Sequence, residues 1–161
     1  MRMSQGVEWA LHTCLNLTYV GQGEAVPTSV LAKFYALPAA YLNKHLQALV
    51  RAGILASTPG PRGGFRLARR AESITLLDVV TAIEGPGEAF PCDQILREGP
   101  GGSAEVDYRE ACVIARSMRR ADLAWRRELA SRTLVDVRSE VEARYPDTPQ
   151  NTRGRFAALR A

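Results

Sequence analysis

The chain has 161 residues, of which 46% are apolar, 24% charged and only 7% aromatic. That size excludes a large multi-domain enzyme, and the balance excludes a chain disordered throughout, so a core of mainly aliphatic side chains is expected. The net charge of +4 is unevenly spread: residues 1–70 hold 8 basic and 2 acidic side chains, and residues 71–161 hold 13 and 15. A basic first half points to a nucleic-acid partner for that half alone. No run approaches the roughly 18 apolar residues of a membrane span. Met1-Arg2-Met3-Ser4 leads into Glu8 and His12 instead of an apolar signal run, so a cytoplasmic protein with no membrane partner is expected.

Val7, Leu11, Cys14, Leu15 and Thr18 recur at helical spacing over residues 4–19, with Ser4 placed as a cap and Gly21-Gln22-Gly23 as the stop. A second short helix runs from a Thr28 cap through Val30, Leu31 and Phe34. After Ala36-Leu37-Pro38 a third spans Ala39 to Ala52, turning Leu42, Leu46 and Leu49 inward and ending at Gly53. Two extended runs, 54–58 and 65–68, flank the Pro59-Gly60-Pro61-Arg62-Gly63-Gly64 tip of a β-hairpin. Two tightly joined helices followed by a hairpin make a winged helix-turn-helix, and a fourth helix, Ser73 to Glu84 with Ser73 or Thr75 as cap, completes a DNA-binding domain over residues 1–85. Residues 86–111 form a loop longer than packed helices usually need. Residues 112–145 lack glycine and proline and read as one long helix, or two. The apolar set Val113, Met118, Leu123, Trp125, Leu129, Leu134, Val137 and Val141 exceeds what one small domain covers, which implies a dimerisation helix and a homodimer. Residues 146–161, with Pro146, Pro149 and Gly154, read as a frayed tail. The expected class is mostly α with a small β-hairpin wing.

A recognition helix enters the major groove with its N-terminal side chains, and on the third helix Tyr41, Asn43, Lys44 and Gln47 are the exposed candidates for double-stranded DNA. Asn43 suits an adenine edge, Lys44 a guanine or a phosphate, and Tyr41 the backbone. At the wing tip, Arg62 stands between a rigid Pro61 and a flexible Gly63-Gly64, a placement suited to a narrow minor groove. Arg66 and the Arg69-Arg70 pair read as phosphate clamps.

Three cysteines are too few and too scattered for a disulfide scaffold. Cys14 falls on the apolar stripe and is assigned to the core. Cys92 and Cys112 flank the long loop, and Cys112 starts a helix, where unpaired amides favour a thiolate. Glu8 and His12, one helical turn apart, present a carboxylate and an imidazole on one face. These four residues leave open an iron-sulfur cluster, zinc, a reversible Cys92–Cys112 disulfide, or an ordinary ion pair beside two unrelated thiols. A small cysteine enzyme with Cys112 as nucleophile and His12 as base lacks a third group to orient the histidine and any oxyanion-binding motif, so no enzyme is expected. His45, alone on the third helix, is expected to face solvent or DNA.

Several segments carry a family resemblance: Tyr41-Leu42 to Leu49, the Arg62-Gly63-Gly64-Phe65-Arg66-Leu67 wing, Ile74-Thr75-Leu76-Leu77-Asp78-Val79-Val80 with Ile83-Glu84-Gly85, and a cysteine-bearing loop before a long helix. Together, over roughly residues 1–140, they resemble the Rrf2 family of bacterial regulators, which includes the iron-sulfur sensors IscR and NsrR and the cluster-free cysteine-metabolism regulator CymR. The resemblance implies a homodimeric winged-helix transcription factor, usually a repressor, with its effector site between the winged domain and the long helix. The family's common cluster motif has three closely spaced cysteines, which this chain lacks. Val7-Glu8-Trp9-Ala10-Leu11-His12 with two distant cysteines is instead similar to the RsrR-type subgroup. That likeness implies a [2Fe-2S] cluster held by Cys92 and Cys112 of one subunit and by Glu8 and His12 of the other, and a redox-sensing role.

Overall fold

A computed structural model describes residues 3–21, 23–60 and 63–160. The Pro61-Arg62 wing tip therefore lies outside the described residues. Among the described residues, eight α-helices and one hairpin follow in order: α1 Gln5–Leu17, α2 Thr28–Tyr35, α3 Ala39–Arg51, β1 Leu55–Thr58, β2 Gly64–Leu67, α4 Leu76–Glu84, α5 Tyr108–Ala111, α6 Val113–Ala130, α7 Leu134–Arg144 and α8 Thr148–Arg160. The mostly helical class with a two-stranded wing is as expected. No described helix is long and apolar enough to cross a membrane.

The core forms where α1, α3 and α4 meet. Leu42, Leu46 and Leu49 of α3 are fully buried, each contributing about 1.5–3 kcal/mol of transfer free energy. The buried face of α1 is rotated from the expected stripe: Val7, Ala10, Thr13, Cys14 and Leu17 go inward, while Leu11 and Leu15 remain half-exposed. Small Ala10 and Thr13 let neighbouring helices approach closely, which outweighs the larger side chains of the adjacent stripe. Burial pushes the Cys14 thiol up to about 12, so it is a core residue and no nucleophile.

The helix-turn-helix corner is set by Ala36, left-handed at φ 53° at the end of α2, and by Pro38 at the N-cap of α3. The wing pairs Leu55 with Leu67 and Thr58 with Gly64 in antiparallel register, and Val26 exchanges two 2.9 Å backbone hydrogen bonds with Phe65. Gly63 and Gly64 are fixed by crowding more than by flexibility: a Cβ would lie 2.0 Å from the Thr58 carbonyl oxygen at the first and 2.3 Å from Val26 backbone atoms at the second.

Residues 112–145, read as one long helix or two, form two. α6 ends at Ala130, and α7 turns back onto the winged domain after Ser131-Arg132-Thr133. The break has a capping cause. Thr75 and Thr133 each cap a helix through a reciprocal box with Asp78 and Asp136, and the two caps pair as an antiparallel bridge. Leu76 N–H donates to the Arg132 carbonyl, and Leu134 N–H to the Ile74 carbonyl, both at 2.9 Å. Leu134 thereby enters the core, and Arg138 of α7 donates to the Thr18 carbonyl at 3.2 Å.

The frayed tail is also corrected: residues 148–160 form α8, which buries Thr152 and Phe156. Pro149 lies in the first turn, where its missing N–H has no helical partner to lose.

Candidate nucleic-acid interface and sensor segment

On α3 the leucines occupy one side, and Asn43, Lys44 and Gln47 share the opposite side with Ala40 and Arg51, at the offsets 0, 3, 4, 7 and 11 of one helical face. Lys44 is exposed, and Asn43 and Gln47 are half-exposed. Tyr41 lies off this face. It is 40% exposed and stands edge-on to His45 with ring centroids 4.9 Å apart. His45 does not face solvent or DNA as expected but packs over α1. A Cβ at Gly6 would lie 2.4 Å from its Cε1, and its Nε2 is buried without a hydrogen-bond partner. Burial, and secondarily the Lys44 charge, hold its pKa below the ordinary histidine value.

The basic residues below the wing are engaged within the chain. Arg66, half-buried opposite Ala56 on β2, donates to the Leu67 carbonyl at 3.4 Å. Arg69 reaches the Ser73 carbonyl at 3.3 Å and Asp78 at 3.6 Å, and Arg70 pairs with Glu72 at 2.9 Å.

Glu8 and His12 are exposed on α1 and line an open groove of about 940 Å³ with Val7, Leu11 and Glu84. Glu84 closes its end, accepting from Ser4 N–H at 2.9 Å and Ser4 Oγ at 2.6 Å. Those bonds hold its carboxyl below the usual glutamate range. Trp9 turns from this groove toward the core, edge-on to Tyr35 at 5.5 Å.

Cys92 and Cys112 are half-buried free thiols at the two ends of the loop, with Cys112 at the N-cap of α6. The link between these ends is one the sequence reading missed. Gln94, held left-handed at φ 54°, accepts from Tyr108 N–H through Oε1 at 3.2 Å. Cys112 N–H in turn donates to the Tyr108 carbonyl at 3.0 Å. The Cys92 segment is thus tied to the turn that presents Cys112. At the loop's start, Arg126 of α6 pairs with buried Asp122 at 2.7 Å and donates to the Pro86 and Gly87 carbonyls. A positive φ at a non-glycine residue leaves no signature in composition or spacing, so this clasp could not be read from the sequence.

Two thiolates, an imidazole and a carboxylate suit an iron-sulfur or zinc centre by donor chemistry. Within one chain they do not converge: among the described residues no three His, Cys, Asp or Glu side chains gather closely enough to hold a metal.

An apolar stripe of α6 follows Ile114, Met118, Trp125 and Leu129, at offsets 0, 4, 11 and 15, with Trp125 and Leu129 half-buried. Ile114 is 67% and Met118 41% exposed. Helical geometry puts Val113 and Leu123, also in the apolar set expected for the dimerisation helix, off this stripe, Leu123 on the opposite flank.

Comparison with known proteins agrees with this architecture. The family model for Rrf2, described as an iron-dependent transcriptional regulator, matches residues 3–140. The chain belongs to the Rrf2 family. A Lactococcus lactis protein named as an HTH-type transcriptional regulator, YffB, is 30% identical over 145 residues, covering 90% of this chain and 92% of that one. The HTH-type transcriptional regulator IscR of Vibrio campbellii is 28% identical over 92 residues, covering 57% of this chain and 55% of its own. Among solved structures, T. potens IscR superimposes with a TM-score of 0.68 at 21% identity, covering 90% of this chain and 91% of that one. CymR, the global cysteine regulator of B. subtilis, gives 0.62 at 20%, covering 87% and 98%. This Rrf2 member is a DNA-binding transcriptional regulator; the relatives and structural neighbours are regulators, not enzymes.

Proposed function

We propose that this Rrf2 protein is a redox-responsive repressor, acting as a homodimer that reads double-stranded DNA with α3 and senses through residues gathered at the dimer interface. The observation that carries this reading is the polar face of α3, where Asn43, Lys44 and Gln47 stand clear of the buried leucines. A groove about 12 Å wide admits such a helix, with Asn43 suited to adenine and Lys44 to guanine or phosphate. Tyr41, beside this face, serves the backbone. Arg62, outside the described residues, remains the wing's minor-groove candidate by sequence, and Arg66 and Arg69 reach phosphates only by giving up internal partners.

For sensing, the proposed ligands are Cys92 and Cys112 of one subunit with the partner subunit's Glu8 and His12, holding a [2Fe-2S] cluster. The Gln94–Tyr108 clasp supports the first pair, and the exposure of the Glu8 and His12 face supports the second. When bound, the cluster supplies a one-electron change of charge at a potential that histidine ligation raises. The chain's own residues do the rest: thiolates and imidazole bind, Glu8 adds a hard oxygen donor, and Arg126 fixes the start of the loop. Because α1 packs on α3 through His45, displacement of Glu8 and His12 bears on the recognition helix. A cluster-free regulator switching through a Cys92–Cys112 disulfide is the second reading, favoured by the same clasp.

The absorption spectrum and iron content of the protein purified without oxygen test the reading. Visible absorption that is lost in Cys92→Ala, Cys112→Ala and His12→Ala is expected. A colourless protein that takes up no iron on reconstitution and shows a reductant-sensitive Cys92–Cys112 bond establishes the second reading instead.

A further inference from the structure

The Rrf2 match ends at residue 140, whereas α8 runs from Thr148 to Arg160. α8 lies outside the family's common body and docks on the first helix of the helix-turn-helix. Phe156 meets Phe34 of α2 at 4.8 Å between ring centroids, and Leu159 and Arg160 border a hollow with Pro27, Ser29, Lys33 and Thr58. α8 therefore runs antiparallel to α2, and its last turn ends beside the N-terminal half of α2 and the end of β1. In this motif the first helix crosses the DNA backbone while the second enters the groove.

The charge on α8 matches that position. Its 13 residues include Arg153, Arg155 and Arg160 and no acidic side chain. Two of the arginines hold the helix in place: Arg153 donates to the Tyr19 carbonyl at 3.5 Å, and Arg160 pairs with Glu24 at 2.6 Å and donates to the Ala25 carbonyl at 2.9 Å. Arg155 has no such duty. It is exposed and, among the described residues, makes no hydrogen bond or ion pair. By helical geometry it lies one turn before Leu159 on the same edge of α8, and Leu159 borders the hollow that Lys33 of α2 also lines, itself exposed and unpaired among the described residues.

We infer that α8 is a second DNA-contacting element, setting Arg155 beside Lys33 to hold phosphates outside the stretch that α3 reads. This rests on the protein's being a DNA-binding regulator. It adds a contact that depends on neither the operator sequence nor the sensor, because phosphate contacts position the protein without reading bases.

The test needs no operator. Full-length protein is titrated with a mixed-sequence duplex of about 40 base pairs, long enough to reach past one recognition site, over a range of salt concentrations. Each lost phosphate contact lowers the slope of log affinity against log salt by about 0.9. In the proposed homodimer each substitution removes two such contacts, one per subunit, so Arg155→Ala and Lys33→Ala are each expected to flatten the slope by about 1.8 and to weaken binding roughly thirtyfold at 0.15 M salt, with the double variant showing about twice the change in slope. Arg120→Ala, on α6, is the control and should leave the slope unchanged. Both test side chains are exposed, so unchanged melting temperatures confirm intact folding. Phe156→Ala, which releases α8 from α2, should reproduce the Arg155 loss. If Arg155→Ala keeps the wild-type slope, the inference is overturned and α8 is a brace for α2. If the wild-type protein itself binds the duplex without salt dependence, it is the broader DNA reading that fails.

Discussion

The winged domain and the α6 arm answer the same need, covering apolar surface, in opposite ways. Around α1, α3 and α4 the core closes within one chain, and even Leu134 and Phe156, from far along the sequence, are drawn into it. Along α6 only Ala115 and Asp122 are buried, while Val113, Ile114, Met118 and Leu123 are exposed. A region complete in itself gives the domain a fixed shape. A region left open is where the proposed second subunit would sit, and the candidate ligands divide along the same line.

The largest expected effect tests the closed side. Leu46→Ala leaves a cavity at a fully buried position and should lower the unfolding free energy by about 2–5 kcal/mol, measured by urea titration. Met118→Ala, on the open side, should stay within about 0.5 kcal/mol when measured on dilute monomer. A cost of several kcal/mol at Met118 in the monomer would erase the contrast.

Next in size is the proposed homodimer. Met118→Arg places a charge on the α6 stripe and should raise the dimer dissociation constant by about tenfold or more, the equivalent of at least 1.4 kcal/mol, with little change in far-ultraviolet circular dichroism. Light scattering would read it, and Leu123→Arg, on the opposite flank, should have the smaller effect. Equal effects would mean that the interface wraps around the whole helix.

Thr133→Ala tests the seam between the two regions. Loss of the capping box should cost about 1 kcal/mol while leaving the α6 stripe intact. The conservative Thr133→Ser should recover most of that loss.

The smallest effect is one of pH. Because burial holds the His45 pKa below its unfolded value, the folded state binds fewer protons there than the unfolded state. Stability from this site is complete above about pH 6.5 and is lost as the pH falls from there toward the folded pKa. His45→Gln should flatten the stability profile in that window, and an unchanged profile would mean that the ring is free to protonate where it sits.

Much of the closed region was legible in the sequence. Leu42, Leu46 and Leu49 at helical spacing, Gly53 as a stop and two extended runs around a Gly-Pro tip locate α3 and the wing because each signal is local. The break at Ser131-Arg132-Thr133 contains neither glycine nor proline. Its signal is Thr133-Leu134-Val135-Asp136, the capping pattern already present at Thr75-Leu76-Leu77-Asp78. α8 was hidden by Pro149 and Gly154, which resemble the punctuation of a loop, although a proline in a first turn is harmless to a helix. Of the candidate site, the α3 face and the exposed Glu8 and His12 follow from periodicity. The clasp of Gln94 on Tyr108 and the turning of His45 toward Gly6 depend on tertiary contacts that periodicity does not encode.

The bridge between the two helix starts has a use of its own. Leu76 and Leu134 each give their amide proton to a carbonyl on the other side of the seam, so both protons are shielded only while the arm keeps its register with the winged domain. In hydrogen–deuterium exchange these amides form a matched pair of clocks. A signal that shifts the arm as a unit should speed both together, while simple fraying of α7 should speed Leu134 alone.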